Sequence, residues 1–134
     1  MNISSFDDLL EAARAQPEPQ RLLFVFASAE LPDDATAEQR ARFEHGEGGA
    51  LVPVMCVDKA IEELSSFGAL AAEAREMGQT WQMVFAAALA GSGGRELMPD
   101  DAKEPLKRME DAIRRGVFTN FIPFDTEGHP VHFS

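Results

Sequence analysis

The chain has 134 residues, of which 45% are hydrophobic, and carries a net charge of −11 from 12 basic and 23 acidic side chains. This length and composition predict one domain with a packed core, and the acidic balance argues against nucleic acid or an anionic membrane as the main partner. The single cysteine, Cys56, excludes an intrachain disulfide and a metal cluster built from cysteines alone. The first ten residues lack the basic and apolar segments of a secretion signal, so we expect a cytoplasmic protein.

The first segment predicts a short amphipathic helix followed by a buried strand. Ser5 and Asp8 have the spacing of a capping box, and the apolar residues after Ser5 recur at helical intervals: Phe6, Leu9, Leu10 and Ala13. Two prolines, Pro17 and Pro19, end this helix. The run Leu22–Ala27 has no polar alternation, which is typical of a strand buried on both faces.

A second helix and a second strand follow. Thr36 and Gln39 form another capping box, which predicts a helix to about Glu44. The apolar run Leu51–Val57 predicts a strand. Because Pro53 has no N–H to donate, this strand is expected at a sheet edge or with a bulge.

The central part predicts a long helix from Asp58 to Met77 and a third strand from Thr80 to Ala90. One face of that strand carries small residues after Val84, which favours the close approach of a helix. Asp101 and Glu104 then predict the start of a last helix, whose basic residues are spaced for pairs with acidic residues one turn earlier.

The end of the chain predicts a fourth strand, Val117–Phe124, and a hairpin that returns through His129–Phe133. The alternation of strands and helices favours right-handed crossovers. We therefore predict a single α/β domain over residues 1–134, with a mixed sheet of about five strands, flanking helices and a C-terminal β-hairpin.

Cys56 is the only candidate thiol nucleophile. Activation requires a neighbouring cation or a helix N-terminus, whereas Asp58 lies two residues away and has the wrong charge. Within an apolar strand, the residue is better interpreted as a buried structural cysteine that reacts slowly.

The histidines do not predict a metal site. His129 and His132 are three residues apart on a predicted strand, so they point to opposite faces, and His45 lies elsewhere. No G-x-S-x-G motif is present either. We assign no catalytic residue, metal or cofactor.

A glycine-rich loop follows the third strand and offers a candidate ligand site. It comprises Gly91, Ser92, Gly93, Gly94 and Arg95. Since the next helix cap comes several residues later, the glycines do not lie at a helix N-terminus as a phosphate loop requires. A plain loop remains the alternative.

The C-terminal hairpin is unusually apolar for a sheet edge. Its residues Phe121, Phe124, Val131 and Phe133 are candidates for an interface, since an edge strand has one inner face to receive them. The alternative is that the first helix covers this patch within the same chain.

Three segments resemble a family of small bacterial proteins: Arg21–Pro32 (RLLFVFASAELP), Met55–Lys59 (MCVDK) and Phe121–Val131 (FIPFDTEGHPV). The resemblance spans nearly the whole chain. The family is of unknown function, its members are often labelled "ribonucleotide reductase subunit alpha", and it supplies no motif with an assigned role. The label implies a much bigger barrel enzyme, which needs one cysteine that carries a radical and a separate redox-active pair of cysteines. Cys56 alone cannot supply these thiols, so we expect no reductase activity.

Two classes of function follow from the residues. The first is a non-enzymatic interaction or regulatory module that binds another protein or associates with itself as a homo-oligomer. The second is a small enzyme, or a protein that binds an anion or another ligand, using the loops after Val57 and Ala90.

Overall fold

A computed structural model describes residues 5–30, 34–44, 50–78, 80–91 and 97–131. Its elements, in chain order, are α1 (Phe6–Arg14), β1 (Gln20–Glu30), α2 (Ala37–Glu44), β2 (Ala50–Ala60), a 3-10 helix (Ile61–Glu63), α3 (Phe67–Glu76), β3 (Met83–Ala90), α4 (Pro99–Arg114) and β4 (Ile122–Phe124). The prediction of a chain that combines helices with one sheet is confirmed.

The strands form a sheet of four with the order β2-β1-β3-β4, and each neighbouring pair is antiparallel. The prediction of a mixed sheet was wrong, and the sheet has four strands within the described residues where about five were predicted. A crossover helix must bury one face on the sheet, but every described side chain of α2 is exposed. The connection that contains α2 is therefore not a crossover between parallel strands, and β2 pairs antiparallel with β1.

The central strand β1 separates two hydrophobic cores. Leu22, Phe24 and Phe26 face α1 and α3, while Leu23, Val25 and Ala27 face α4. These six residues are between 0% and 2% exposed, which confirms the prediction of a strand buried on both faces. The molecule is thus layered, with α1 and α3 on one side of the sheet and α4 on the other.

The core under α1 and α3 is rich in aromatic residues. The ring of Phe6 lies 5.6 Å from that of Phe124 and 5.2 Å from that of Phe67, in edge-to-face geometry. Phe26 and Trp81 make a similar contact at 4.9 Å. The helix α1 begins as predicted, since the Ser5 hydroxyl accepts a hydrogen bond from the Asp8 N–H at 3.1 Å.

The core under α4 also receives the segment that follows this helix. Phe118 stacks on Phe85 with ring centres 5.0 Å apart. This contact holds the chain over the sheet, so β4 begins at Ile122 rather than at Val117 as predicted. The helix α4 itself begins at Pro99, and Asp101 lies within its first turn, where its carboxylate accepts from the Met98 N–H at 2.8 Å.

The predicted helix from Asp58 to Met77 is shorter in the structure. Strand β2 continues to Ala60, and α3 starts only after Ser66, whose hydroxyl accepts from the Ala69 N–H at 3.1 Å. Salt bridges to residues distant in sequence hold the extended conformation, because Asp58 pairs with Arg21 of β1 and the Lys59 ammonium lies 2.9 Å from the Glu73 carboxylate of α3.

The C-terminal hairpin is built around Asp125. Its carboxylate accepts from the N–H groups of Glu127 and His129 at 2.9 and 3.0 Å. Within the described residues, the returning segment pairs with β4 only through a bridge between Phe124 and Pro130. The turn was predicted correctly, but the fifth strand is reduced to this bridge, and residues 132–134 lie outside the described part.

Candidate functional site

Cys56 is exposed, which contradicts the prediction that it is buried. It lies on β2, an edge strand, and its Sγ donates to Glu110 Oε1 of α4 at 3.6 Å. Partial desolvation raises the pKa of the thiol, and the carboxylates of Glu110 and Asp58 raise it further. The thiolate is therefore disfavoured at neutral pH, and the surroundings of Cys56 do not activate a nucleophile.

The charged residue buried deepest among those described is Arg21, which is 8% exposed. Its Nε donates to Asp58 Oδ2 at 2.5 Å, and its Nη2 lies 3.9 Å from Glu63. The prediction of a ligand loop after Val57 was wrong, because β2 continues there and the Asp58 carboxylate is occupied by Arg21. This cluster ties the end of β2 to β1.

The other predicted ligand loop begins beside a cleft of about 320 Å³. The Gly91 N–H donates to the Pro19 carbonyl at 2.9 Å, and Leu97 lines the cleft. Residues 92–96, which include Ser92, Gly93, Gly94 and Arg95, lie outside the described part of the chain. The lining carries charges of both signs from Arg14, Arg21, Glu18 and Glu62. This mixture does not by itself select an anion.

The described histidine, His129, belongs to the hairpin turn. Its Nδ1 lies 3.7 Å from Asp125 and 3.6 Å from Glu127. Desolvation raises the pKa of Asp125, but hydrogen bonds from the backbone N–H groups of His129 and Glu127 outweigh it, and the net pKa is lowered. His45 and His132 fall outside the described residues, among which no three potential metal ligands meet.

The predicted interface residues do not share one surface. Phe124 is 0% exposed in the aromatic core, so it was wrongly assigned to an interface. Its contact with Phe6 matches the alternative in which the first helix covers this patch. Phe121 and Val131 are half-buried, and Phe133 lies outside the described residues.

Within the described chain, the β2 edge of the sheet carries several features that discourage pairing with another strand. Pro53 has no N–H, and Val54 forms a bulge because Phe26 pairs with Met55 and the next residue of β1 pairs with Pro53. The N–H of Ala60 is already bonded to Glu63 Oε1 at 2.8 Å. Proline, bulges and charges are common protections of an edge strand. The sequence-based prediction for Pro53 is confirmed.

The opposite edge is different, because β4 pairs only with Val84–Ala86. The remaining residues of β3, Ala87–Ala90, pair with β1 alone among the described strands. We call this segment the open edge. In an antiparallel ladder, alternate residues bond to the same neighbour. The Gly91 N–H donates to the carbonyl of Pro19, which precedes β1. The odd-numbered residues of β3 therefore direct their backbone N–H and C=O groups toward β1. Ala88 and Ala90 therefore direct their N–H and C=O groups outward, and both residues are exposed.

A groove of about 250 Å³ runs beside the open edge. Leu9 and Ala12 of α1, with Gln16 just after this helix, form one wall, and Asn120 and Ile122 form the other. No charged side chain lines this groove among the described residues. We call it the α1 groove. The small side chains of β3 were predicted to admit a helix, and α1 does cover Ala86, but it leaves Ala88 uncovered.

A comparison with protein-family models, curated proteins and solved structures found no match to the chain. Within the described residues, no helix has the length and apolar character needed to cross a membrane. Functional inference therefore depends on the open edge, the α1 groove and the chemistry of the individual side chains.

Proposed function

We propose that this chain is a non-enzymatic protein-binding module of the cytoplasm that engages another polypeptide through the open edge. The observation that carries the proposal is the second half of β3, which no described strand pairs on its outer side, and where Ala88 and Ala90 present backbone donors and acceptors beside an apolar groove. Such an edge is a ready template for another chain. Because the β2 edge is protected against strand pairing, we expect the partner to bind at the open edge and not at β2.

The chemistry of the described side chains supports binding rather than catalysis. The pKa of the Cys56 thiol is raised, which disfavours the nucleophilic form. Arg21 is held by Asp58 and Glu63, so its charge is already satisfied. A catalytic site needs a titratable group poised for its task, and neither cluster provides one.

The charge of the chain supports a protein as the partner. A net charge of −11 repels nucleic acid and anionic lipid, while the α1 groove itself is uncharged. A groove with Leu9 and Ile122 on its walls suits apolar side chains of a polypeptide. A second copy of this chain, giving a homo-oligomer, is one such partner.

Site-specific crosslinking in the host cell tests this proposal. Benzoylphenylalanine is placed at position 88, and a matched control carries it at position 72, an exposed alanine on α3. We expect position 88 to give one reproducible adduct whose crosslinked peptide is identified by mass spectrometry, and position 72 to give none. An adduct with this same chain would indicate self-association. Equal crosslinking from both positions, or none from position 88, would overturn the proposal.

A second candidate function is the binding of a small ligand in the cleft near Leu97. It is favoured by one observation, namely that Gly91 bonds to Pro19 and Leu97 lines the same cleft, so the described residues on either side of residues 92–96 lie at its rim. Titration with inorganic phosphate, followed by amide NMR, tests it. Saturable shifts at Gly91 and Arg21 would support this candidate, and unchanged spectra at millimolar phosphate would exclude phosphate binding there.

A further inference from the structure

We infer that the partner binds as an added β-strand along the open edge, in line with β4, an inference that rests on the function proposed above. Alternate residues of β3 point their N–H and C=O groups outward, and β4 satisfies these groups only as far as Ala86. Ala88 and Ala90 continue the same row. Main-chain hydrogen bonds to such a row are the basis of peptide binding by strand addition.

No described strand occupies the position of the added strand. The pairing of Val84 with Phe124 and of Ala86 with Ile122 would place residue 120 opposite Ala88 if β4 were longer. Instead, Phe118 has turned to the α4 side of the sheet, where it stacks on Phe85 at 5.0 Å. The natural extension of β4 is therefore diverted, and among the described strands only β1 pairs with Ala88.

The two sides of this position define the chemistry of the partner segment. Side chains of a strand alternate between its faces, so every second residue of the partner would enter the α1 groove beside Ala12 and Leu9. Alanine at position 88 leaves room for a larger apolar side chain. Because the chain is strongly acidic, basic residues flanking the segment would speed its association. The partner is thus an extended segment with alternating apolar residues between basic residues.

A second copy of this chain fits the position less well than another protein. Its β2 edge is interrupted by Pro53 and the bulge at Val54, and its Ala60 N–H is already bonded to Glu63. Two open edges facing each other would pair only four residues from each chain, three of them alanines, which bury little apolar surface. We therefore assign the added strand to a different protein.

The test uses the peptide acetyl-Lys-Val-Thr-Val-Thr-Val-Lys-amide and ¹⁵N-labelled protein. We expect saturable amide shifts at Ala88 and Ala90. A peptide with N-methylvaline in place of all three valines should not bind, because the valines pair with Ala88 and its alternate neighbours and would lose their N–H donors. The substitution Ala12→Arg fills the groove and should weaken binding at least about tenfold. The matched control Ala72→Arg changes an exposed alanine on another helix and should leave binding unchanged.

The outcomes separate this inference from the function on which it rests. If the Val-Thr peptide shifts no amide of the open edge at millimolar concentration while the crosslink at position 88 identifies a partner, strand addition is wrong and the protein-binding function stands. If the N-methylated peptide binds equally well, strand addition is also wrong. Shifts confined to β2 would contradict the assignment of the site. Failure of both the peptide and the crosslink overturns the function itself.

Discussion

Gly128 closes the C-terminal hairpin over the aromatic core, and its replacement by alanine should destabilise the protein strongly. It has a φ angle of +86°, and a Cβ atom at this position would lie 2.8 Å from Cγ and 2.9 Å from Cδ2 of Phe67. Phe67 cannot move away freely, because its ring packs edge-to-face on Phe6 at 5.2 Å. The Gly128→Ala substitution therefore imposes both backbone strain and overpacking.

The magnitude has two parts. A left-handed backbone costs an alanine roughly 1–2 kcal/mol, and an extra carbon in a packed core costs typically about 1–3 kcal/mol. Gly78 supplies the control, since its φ is +79° but a Cβ there would meet nothing within 4 Å. Each glycine N–H also donates to the carbonyl three residues earlier, at 3.2 Å for Gly128 and 3.1 Å for Gly78. Gly78→Ala should thus cost only the backbone part.

Urea denaturation of the wild type and the two variants measures these free energies of unfolding. We expect both variants to unfold at lower urea concentrations than the wild type, with a similar dependence of the unfolding free energy on urea. Gly128→Ala should be less stable than Gly78→Ala by about 1–3 kcal/mol. Adding Phe67→Leu to Gly128→Ala should cost less than it costs in the wild type, because the crowded ring is removed. Equal losses for Gly128→Ala and Gly78→Ala would refute the reasoning, since they would show that the hairpin does not press on Phe67.

The remaining predictions concern charged and titratable side chains. At neutral pH, Cys56 should react with a thiol reagent more slowly in the native protein than after denaturation, because its pKa is raised, and Glu110→Gln should speed the native reaction; identical native rates would contradict this. Asp58→Asn removes the charge that faces the buried Arg21 and should cost about 1.5–3 kcal/mol in urea denaturation, and an unchanged midpoint would count against the pair. The lowered pKa of Asp125 stabilises the fold above the ordinary carboxyl pKa of about 4, and this contribution is lost as the pH falls through the lowered value. The difference in stability between wild type and Asp125→Asn should therefore shrink below about pH 4, and a difference that persists at lower pH would exclude this cause.

Features that depend on neighbouring residues in sequence were predicted well. The Ser5 cap, the burial of Leu22–Ala27 on both faces and the interruption at Pro53 follow from local hydrogen bonding, from hydrophobic pattern and from the missing proline donor. The capping box of α2 also forms, since Gln39 N–H donates to the Thr36 hydroxyl at 3.1 Å and the Thr36 N–H donates back at 2.8 Å. Each of these depends on chemistry within a few residues.

Strand direction could not be predicted from the alternation of elements. The decisive signal was the composition of α2, whose segment AEQRARFE has no apolar stripe with which to cover a sheet. Such a helix cannot serve as a crossover, so β1 and β2 become antiparallel neighbours. The exposure of Cys56 follows from the same arrangement, because β2 then lies at the edge of the sheet.

The sequence-based interface was placed on the C-terminal hairpin, whereas the open edge proposed here lies on β3. Among the described strands, the open edge results from the three-residue length of β4, and the chain before β4 lies on the α4 side of the sheet, where Phe118 stacks on Phe85. That contact joins parts of the chain far apart in sequence and leaves no periodic signal. The run of alanines before Gly91 carried the relevant information, since it has neither the charge nor the proline that usually protects an edge.

The contact between Phe6 and Phe124 has a consequence for folding during synthesis. During synthesis, α1 leaves the ribosome early, whereas β4 leaves it after every other described helix and strand. The apolar face of α1 must therefore wait for its last partner, and the aromatic core stays incomplete on the nascent chain. Ribosome-bound chains that end before Ile122 should expose Phe6 to chaperones and proteases, and release of the last strand should remove that exposure in a single late step.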